Sequence, residues 1–116
     1  MTEVVLTKQK IADGKTDRLV EWMSEVRDRE DEVVKTFQSE GMQTEAAFLE
    51  HGDDGDYLIY FMEADDLNKA YESFSESSHE IDKEHKRVMD EVLEDSDDLG
   101  VKKYKLLYHM VNPNRS

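Results

Sequence analysis

The run Tyr57-Leu58-Ile59-Tyr60-Phe61-Met62 is apolar on both faces of the strand that it predicts. Side chains alternate along a strand, so Tyr57, Ile59 and Phe61 face one way and Leu58, Tyr60 and Met62 face the other. Strands with two apolar faces are covered by protein on both sides. This strand must therefore lie inside a sheet whose two faces are both buried.

Turn-forming sequences separate this strand from its predicted partners. A Gly-Asp-Asp-Gly-Asp sequence at 52–56 joins it in a hairpin to a strand at 45–51. A first strand is predicted at 4–11. Residues 95–100 are expected to form a loop before a last strand at 103–111, which places Tyr104, Leu106, Tyr108 and Met110 on one face.

Two helical regions alternate with these strands. Apolar spacings of three and four residues between 19 and 37 predict one long helix, which Asp13 or Thr16 caps and Gly41 ends. Asp65 or Asp66 caps the second region.

The second helical region is expected to break and restart. Ser77 and Glu80 have the spacing of a capping box, and apolar residues continue from there to Val92. The resulting order, β-α-β-β-α-β, predicts an α+β fold of the ferredoxin-like type, with a four-stranded antiparallel sheet and both helices on one face. We expect one domain over residues 1–111 and a polar C-terminal tail over residues 112–116.

An open sheet face follows from this architecture, because two helices cover only one side of the sheet. An exposed face with the apolar groups of the run 57–62 would drive association. The simplest cover is a second copy packed sheet to sheet about a two-fold axis, which gives a homodimeric α+β barrel. The alternative is a monomer whose C-terminal tail screens the open face.

The charge balance excludes several classes of partner. The chain has 15 Lys+Arg against 29 Asp+Glu, a formal net charge of −14, and no cysteine. Neither nucleic acid nor an anionic membrane surface is an expected partner, because both bind clustered basic side chains. We expect a cytoplasmic protein, since no signal peptide or spanning segment is evident and no disulfide can form.

Charged residues make up 38% of the chain, where an ordinary soluble domain has about 25%. At ~1 M salt the Debye length is only ~3 Å, so the repulsion within such an acidic shell is screened. The composition therefore predicts a protein of a halophile; the alternative is an acidic protein of an ordinary mesophile.

Several short segments resemble one superfamily. They are Gly14-Lys15, Glu40-Gly41-Met42, Phe48-Leu49-Glu50, Tyr60-Phe61-Met62-Glu63-Ala64 and the segment from Ala70-Tyr71 through Ser77-Ser78-His79. The chain resembles the dimeric α+β barrel superfamily, and is most similar to an uncharacterised family of halophilic archaea within it. The resemblance to antibiotic-biosynthesis-type monooxygenase domains is more distant. There a pair of histidines brackets the end of the second helix, but here only His79 matches and Phe74 occupies the earlier position.

The densest group of polar residues is His79-x-x-Asp82-x-x-His85. On a helix Asp82 could contact both histidines, and a carboxylate beside an imidazole fixes its tautomer and raises its pKa. The alternative is a first-turn histidine and a histidine on a mostly apolar stripe. No metal site is expected, because residues six apart do not share a helix face.

Glu45, Glu50, Glu63 and His109 form a second group, because each interrupts an apolar strand pattern. A carboxylate that faces the covered side of the sheet would have a raised pKa and could serve as an acid or base. The alternative is that these residues reach water at strand ends or form ion pairs. The alternation alone does not fix which of them face the helices.

Two functions remain open at this level. One is a small-molecule-binding dimeric barrel, with its ligand in the cleft between sheet and helices. The residues expected to line that cleft are His79, Asp82, His85, Glu50, Glu63 and His109. The alternative is a non-enzymatic structural or protein-interaction domain. No cofactor is expected, since neither a phosphate-binding glycine loop nor a dinucleotide fingerprint is present, and whether the chain is an enzyme stays open.

Overall fold

The computed structural model describes residues 2–94 and 101–115, without the side chain of Val101. Four strands and four helices occur in these ranges. In chain order they are β1 (Glu3–Lys10), α1 (Thr16–Asp28), α2 (Glu30–Glu40), β2 (Met42–Gly52), β3 (Gly55–Ala64), α3 (Leu67–Ser75), α4 (Glu80–Val92) and β4 (Val101–Lys103). The predicted loop at 95–100 lies outside the described residues.

The strands form one antiparallel sheet in the order β2-β3-β1-β4. β1 and β2 are both antiparallel to β3 and lie on either side of it, so they are parallel to each other. This arrangement is a split β-α-β unit. The α+β class is confirmed, and the architecture is compatible with the ferredoxin-like type. β3 is an interior strand of the sheet, with β2 on one side and β1 on the other.

The register decides which side chains meet the helices. Leu58 is 3% exposed and belongs to the main core with Trp22 of α1 and Val88 of α4. Tyr60 packs against this core, whereas Tyr57, Ile59 and Phe61 alternate with these residues and lie on the opposite, open face.

The predicted long helix is two helices that meet at Arg29. Arg29 leaves the helical conformation at φ −108° and ψ 34°. Its guanidinium donates hydrogen bonds to the carboxylates of Glu25, Glu32 and Glu84. Apolar spacing continues across this break and does not reveal it. Gly41 ends α2 in the left-handed region at φ 75°, as predicted.

Of the N-cap residues that the sequence predicts, the structure confirms only that of α3. Asp66 caps α3 by accepting a hydrogen bond from the backbone N–H of Lys69. The predicted capping box of α4 is wrong, because His79 is the N-cap and Ser77 accepts a bond from the His79 N–H instead. The predicted cap of α1 is also wrong: Lys15 occupies the N-cap, and the Thr16 hydroxyl donates to Asp56.

The last strand is much shorter than predicted. β4 ends at Lys103, one further backbone bond joins the Tyr104 N–H to the Leu6 carbonyl, and residues 105–111 pair with no strand within the described ranges. Alternating apolar residues favour an extended backbone, but a strand also needs a partner with free hydrogen-bonding groups. Several large apolar side chains of this segment are exposed: Leu106, Leu107, Tyr108, Met110 and Val111.

Candidate functional site

The six residues predicted to line one cleft lie on two sides of the sheet. His79, Asp82 and His85 belong to α4, on the helix side. Glu50 and Glu63 pair in register with open-face positions of the neighbouring strands. His109, in the C-terminal segment, approaches Glu63. The structure therefore does not bring these six residues together in a single cleft.

His79 and His85 have different environments. His79 is exposed at the start of α4. The ring of His85 packs edge-on against Phe74 at a centroid separation of 6.0 Å. Only His85 is therefore placed within the interior on the helix side of the sheet.

A directed chain of hydrogen bonds runs through His85. The Trp22 Nε1–H donates to His85 Nδ1 over 2.9 Å, so Nδ1 carries no proton. In the neutral ring Nε2 then bears the hydrogen and donates to the Tyr60 hydroxyl, 3.3 Å away. The Tyr60 hydroxyl in turn points at the sulfur of Met23 at 4.0 Å.

This environment keeps His85 neutral. Burial lowers the pKa of His85 to about 4, although the charge of Asp82 acts in the opposite direction. Protonation would also place an Nδ1–H against the Trp22 N–H, two donors facing each other. The expectation that Asp82 raises the pKa of its neighbouring imidazole is thus outweighed by burial.

Asp82 lies at the centre of a group that we call the carboxyl cluster, formed by Glu40, Glu45 and Asp82. Asp82 is 6% exposed, and its Oδ2 has no hydrogen-bond donor among the described residues. Burial, followed by the charges of Asp82 and Glu45, raises the pKa of Glu40 to about 7. The nearness of the Asp82 carboxyl adds to this shift, because a proton on Glu40 could be donated to it.

Glu45 brings the carboxyl cluster to the edge of the sheet. It pairs in register with Met62, whose side chain packs against the helices, so Glu45 faces the covered side. Its side chain remains accessible, yet burial by surrounding protein and the charge of Asp82 raise its pKa to about 7. Burial and the Glu45 charge also raise the pKa of Tyr60. Glu45 is therefore poised to exchange a proton near neutral pH.

A surface depression of about 490 Å³ adjoins the carboxyl cluster at Glu40. Its lining combines five carboxylates with a single lysine and three small residues: Ser39, Glu40, Gly41, Asp65, Asp66, Lys69, Glu72, Ser73 and Glu76. None of the six predicted cleft residues lines it. Its charge suits a cationic group.

Glu50 takes part in an ion pair on the open face. Its Oε1 lies 2.6 Å from the Nζ of Lys8, which also sits 4.3 Å from the centre of the Tyr57 ring. The hydrogen bond to Glu50 is the main cause of the raised pKa of Lys8. Glu50 thus forms an ion pair, the alternative to a proton-exchanging carboxyl. The pair joins β2 to β1 across β3.

Glu63 is 1% exposed and accepts hydrogen bonds from both ends of the chain. The hydroxyls of Thr2 and Thr44 each donate over 2.9 Å, and Arg115 donates from two nitrogens over 3.1 and 3.4 Å. Nε2 of His109 lies 3.7 Å from Oε2. Burial acts to raise the pKa of Glu63, but the bonds from Arg115, Thr2 and Thr44 hold it below its ordinary value.

Two members of the candidate site carry little signal in the sequence. Glu40 precedes a helix-ending glycine, and Tyr60 belongs to an apolar strand, where aromatic residues usually serve the core. Only the fold brings Glu40 to Asp82, 42 positions along the chain. Among the residues that the structure describes, no group of three or more His, Asp or Glu side chains is arranged to hold a metal ion.

Comparison with known proteins supplies a family. Residues 2–115 match DUF6176, a family of unknown function. The chain belongs to DUF6176. No curated protein matches the sequence. The DUF6176 description names no activity, so the similarity to monooxygenase domains stays a prediction. Within the described ranges of this DUF6176 member, no helix has the length and apolar character needed to cross a bilayer.

Proposed function

We propose that this DUF6176 protein is a homodimer that binds a small organic cation at the carboxyl cluster, between the sheet and the helices. The observation that carries the proposal is Asp82, a buried carboxylate whose Oδ2 has no hydrogen-bond donor in the part of the chain that the structure describes. Buried polar atoms in native proteins almost always have a partner. A ligand N–H or the proton of Glu40 would supply it.

The surrounding charges favour a cationic ligand. Glu40 and Glu45 add two carboxyls whose pKa values are raised to about 7, so each gains negative charge as the solution passes neutrality. Lys86 of α4 is the basic residue that opposes this effect at Glu40. Its amino group is occupied with the Ser75 carbonyl at 2.9 Å. An ammonium group would therefore replace a proton on Glu40 as the partner of Asp82.

A thermal-shift titration with 1,4-diaminobutane and with uncharged 1,4-butanediol tests this proposal. We expect the diamine alone to raise the melting temperature, and its effect to grow between pH 6 and pH 8 as Glu40 and Glu45 ionise. Asp82→Asn should remove the shift, whereas the exposed Glu21→Gln, which removes one distant charge, should keep it. An equal shift with the diol, or an undiminished shift in Asp82→Asn, would contradict the proposal.

The dimer is supported by the amount of exposed surface. The chain exposes 8063 Å², whereas a monomer of 13.6 kDa is expected to expose roughly 6,600 Å². The excess of about 1,500 Å² exceeds the ~800 Å² that each partner buries in a standard interface. Phe48, on the open sheet face, is 57% exposed.

Multi-angle light scattering in molar KCl measures the association directly. We expect a mass of twice 13.6 kDa. Phe48→Asp should shift the population toward monomer, because it places a charge where the second sheet would pack. Val34→Asp is the matched control on an exposed helix position. A wild-type mass of 13.6 kDa at all concentrations would rule the dimer out.

The alternative function is a structural or protein-interaction domain without a ligand. It is favoured by His85, whose two ring nitrogens are both occupied within the protein. A dimer that shows no diamine-specific shift would support this alternative.

We also propose a cytoplasmic protein of a halophile, with neither nucleic acid nor membrane as a partner. The net charge of −14 supports the halophile and the exclusion of nucleic acid and anionic membranes, and the lack of cysteine fits the cytoplasm.

A further inference from the structure

The C-terminal segment 104–111, which we call the arm, exposes a contiguous set of large apolar side chains. Leu107 is 86% exposed, Met110 78% and Tyr108 74%. The backbone groups of residues 105–111 make no hydrogen bond to one another or to the sheet within the described ranges. Single exposed apolar residues are ordinary, but a contiguous set marks an interaction site.

The arm is held at both ends by hydrogen bonds, so its exposed side chains have a defined position relative to the sheet. At its start the Tyr104 N–H donates to the Leu6 carbonyl. Beyond its far end Arg115 donates two hydrogen bonds to the buried Glu63, and His109 lies beside the same carboxylate. Glu63 thus holds the arm at one end of the open sheet face.

The charge of the C-terminal region distinguishes it from the remainder of the molecule. Residues 101–116 contain four basic side chains and no Asp or Glu, a balance of +4. Residues 1–100 contain 11 Lys+Arg and 29 Asp+Glu, a balance of −18. The charge of this C-terminal region, within which the arm itself carries Lys105 and no acidic residue, complements the acidic body of another copy of this chain.

We propose that the arm of each copy packs its apolar side chains against the open sheet face of a second copy, with Glu63 as the anchor that positions it. The inference rests on the proposed homodimer and names the element that forms it. A two-fold axis makes the contact reciprocal, since each copy offers one arm and one open face. The exposed Phe48 and Leu6 are the receiving apolar groups on that face.

Intermolecular paramagnetic broadening tests which surfaces meet. The chain has no cysteine, so Leu107→Cys carries a single nitroxide label. Labelled protein is mixed with an equal amount of ¹⁵N-labelled wild type. We expect loss of amide signals in β2 and β3 of the ¹⁵N copy, and no such loss from a label at Val20→Cys, an exposed position on α1.

Association measurements separate this inference from the proposed dimer. Leu107→Asp with Met110→Asp should weaken the dimer at least about tenfold, because the two substitutions place charges where apolar side chains would be buried. Val20→Asp with Val34→Asp should leave association unchanged. A wild-type dimer that survives the arm substitutions, or that shows no broadening from position 107, would overturn the arm contact alone. A monomeric wild type would overturn the dimer and the arm contact together.

Discussion

At the scale of single residues, the register of β2 decides which face of the sheet carries Glu45 and which carries Glu50. Both interrupt an apolar pattern, and the sequence predicts that a carboxylate on the covered side has a raised pKa. Glu45 faces the helices and fits this expectation, with a pKa of about 7. Glu50 lies on the other face and pairs with Lys8. The hairpin register, unbroken from the Gly52–Gly55 pair to the Thr44–Glu63 pair, sets this phase, and the alternation within β2 alone does not fix which of its faces meets the helices.

The free energy of unfolding should depend on pH through the titration of Glu45. Its pKa is about 7 in the folded chain and about 4.5 when unfolded, so the folded state binds more protons between these values. The contribution is fully present below pH 4.5 and is lost as the pH rises through 7. Glu45→Gln should therefore be more stable than wild type at pH 8 by about 1 kcal/mol, after allowance for screening at its accessible position.

Urea denaturation at pH 5 and pH 8 measures this difference. Glu21→Gln provides the comparison, because it removes a charge from a side chain that is 80% exposed. Equal pH dependence in wild type and Glu45→Gln would show that Glu45 does not retain its proton in the folded state.

At the scale of elements, the sequence predicts what local chemistry determines and misses what long-range contacts determine. The hairpin is correct because Gly52 and Gly55 flank a two-residue turn. The break at Arg29 escapes prediction because Glu84, one of its partners, lies on another helix. The last strand is predicted too long because residues 105–111 have strand character but no strand beside them among the described residues.

We expect the hydrogen bonds from Arg115 to Glu63 to hold the C-terminal segment against the sheet. Arg115→Ala leaves the buried Glu63 with hydroxyl donors alone, and hydrogen bonds to charged groups contribute about 1–3 kcal/mol. We expect a loss of that size in the free energy of unfolding at pH 7. Since the pKa of Glu63 is lowered by folding, its contribution is present above its unfolded pKa and lost as the pH falls through the folded pKa.

Urea denaturation at pH 7 and pH 3 tests this attachment. Arg115→Lys, which keeps the charge but not the paired geometry, should fall between wild type and Arg115→Ala. A difference between wild type and Arg115→Ala that persists undiminished at pH 3 would contradict the role given to Glu63.

At the scale of the whole molecule, the acidic surface sets the conditions under which the fold is stable. The net charge of −14 produces repulsion that salt screens. We expect the melting temperature to rise from low to molar KCl. Asp28→Asn with Asp31→Asn, exposed positions at the end of α1 and in the first turn of α2, should stabilise the protein at low salt by about 0.5 kcal/mol and reduce the rise.

Differential scanning calorimetry across a KCl series measures both effects. A midpoint that stays constant or falls between low and molar KCl would contradict the proposal of a salt-adapted protein.

The hydrogen bond between Trp22 and His85 has an optical consequence. Trp22 is the only tryptophan, is 2% exposed and donates its indole N–H to that imidazole. Its emission therefore comes from one site in the main core, free of overlapping signals from other indoles. An imidazolium quenches a neighbouring indole, so acidification through about pH 4 should dim this fluorescence as His85 gains its proton. Trp22 fluorescence thus reports the protonation of His85 without any added label.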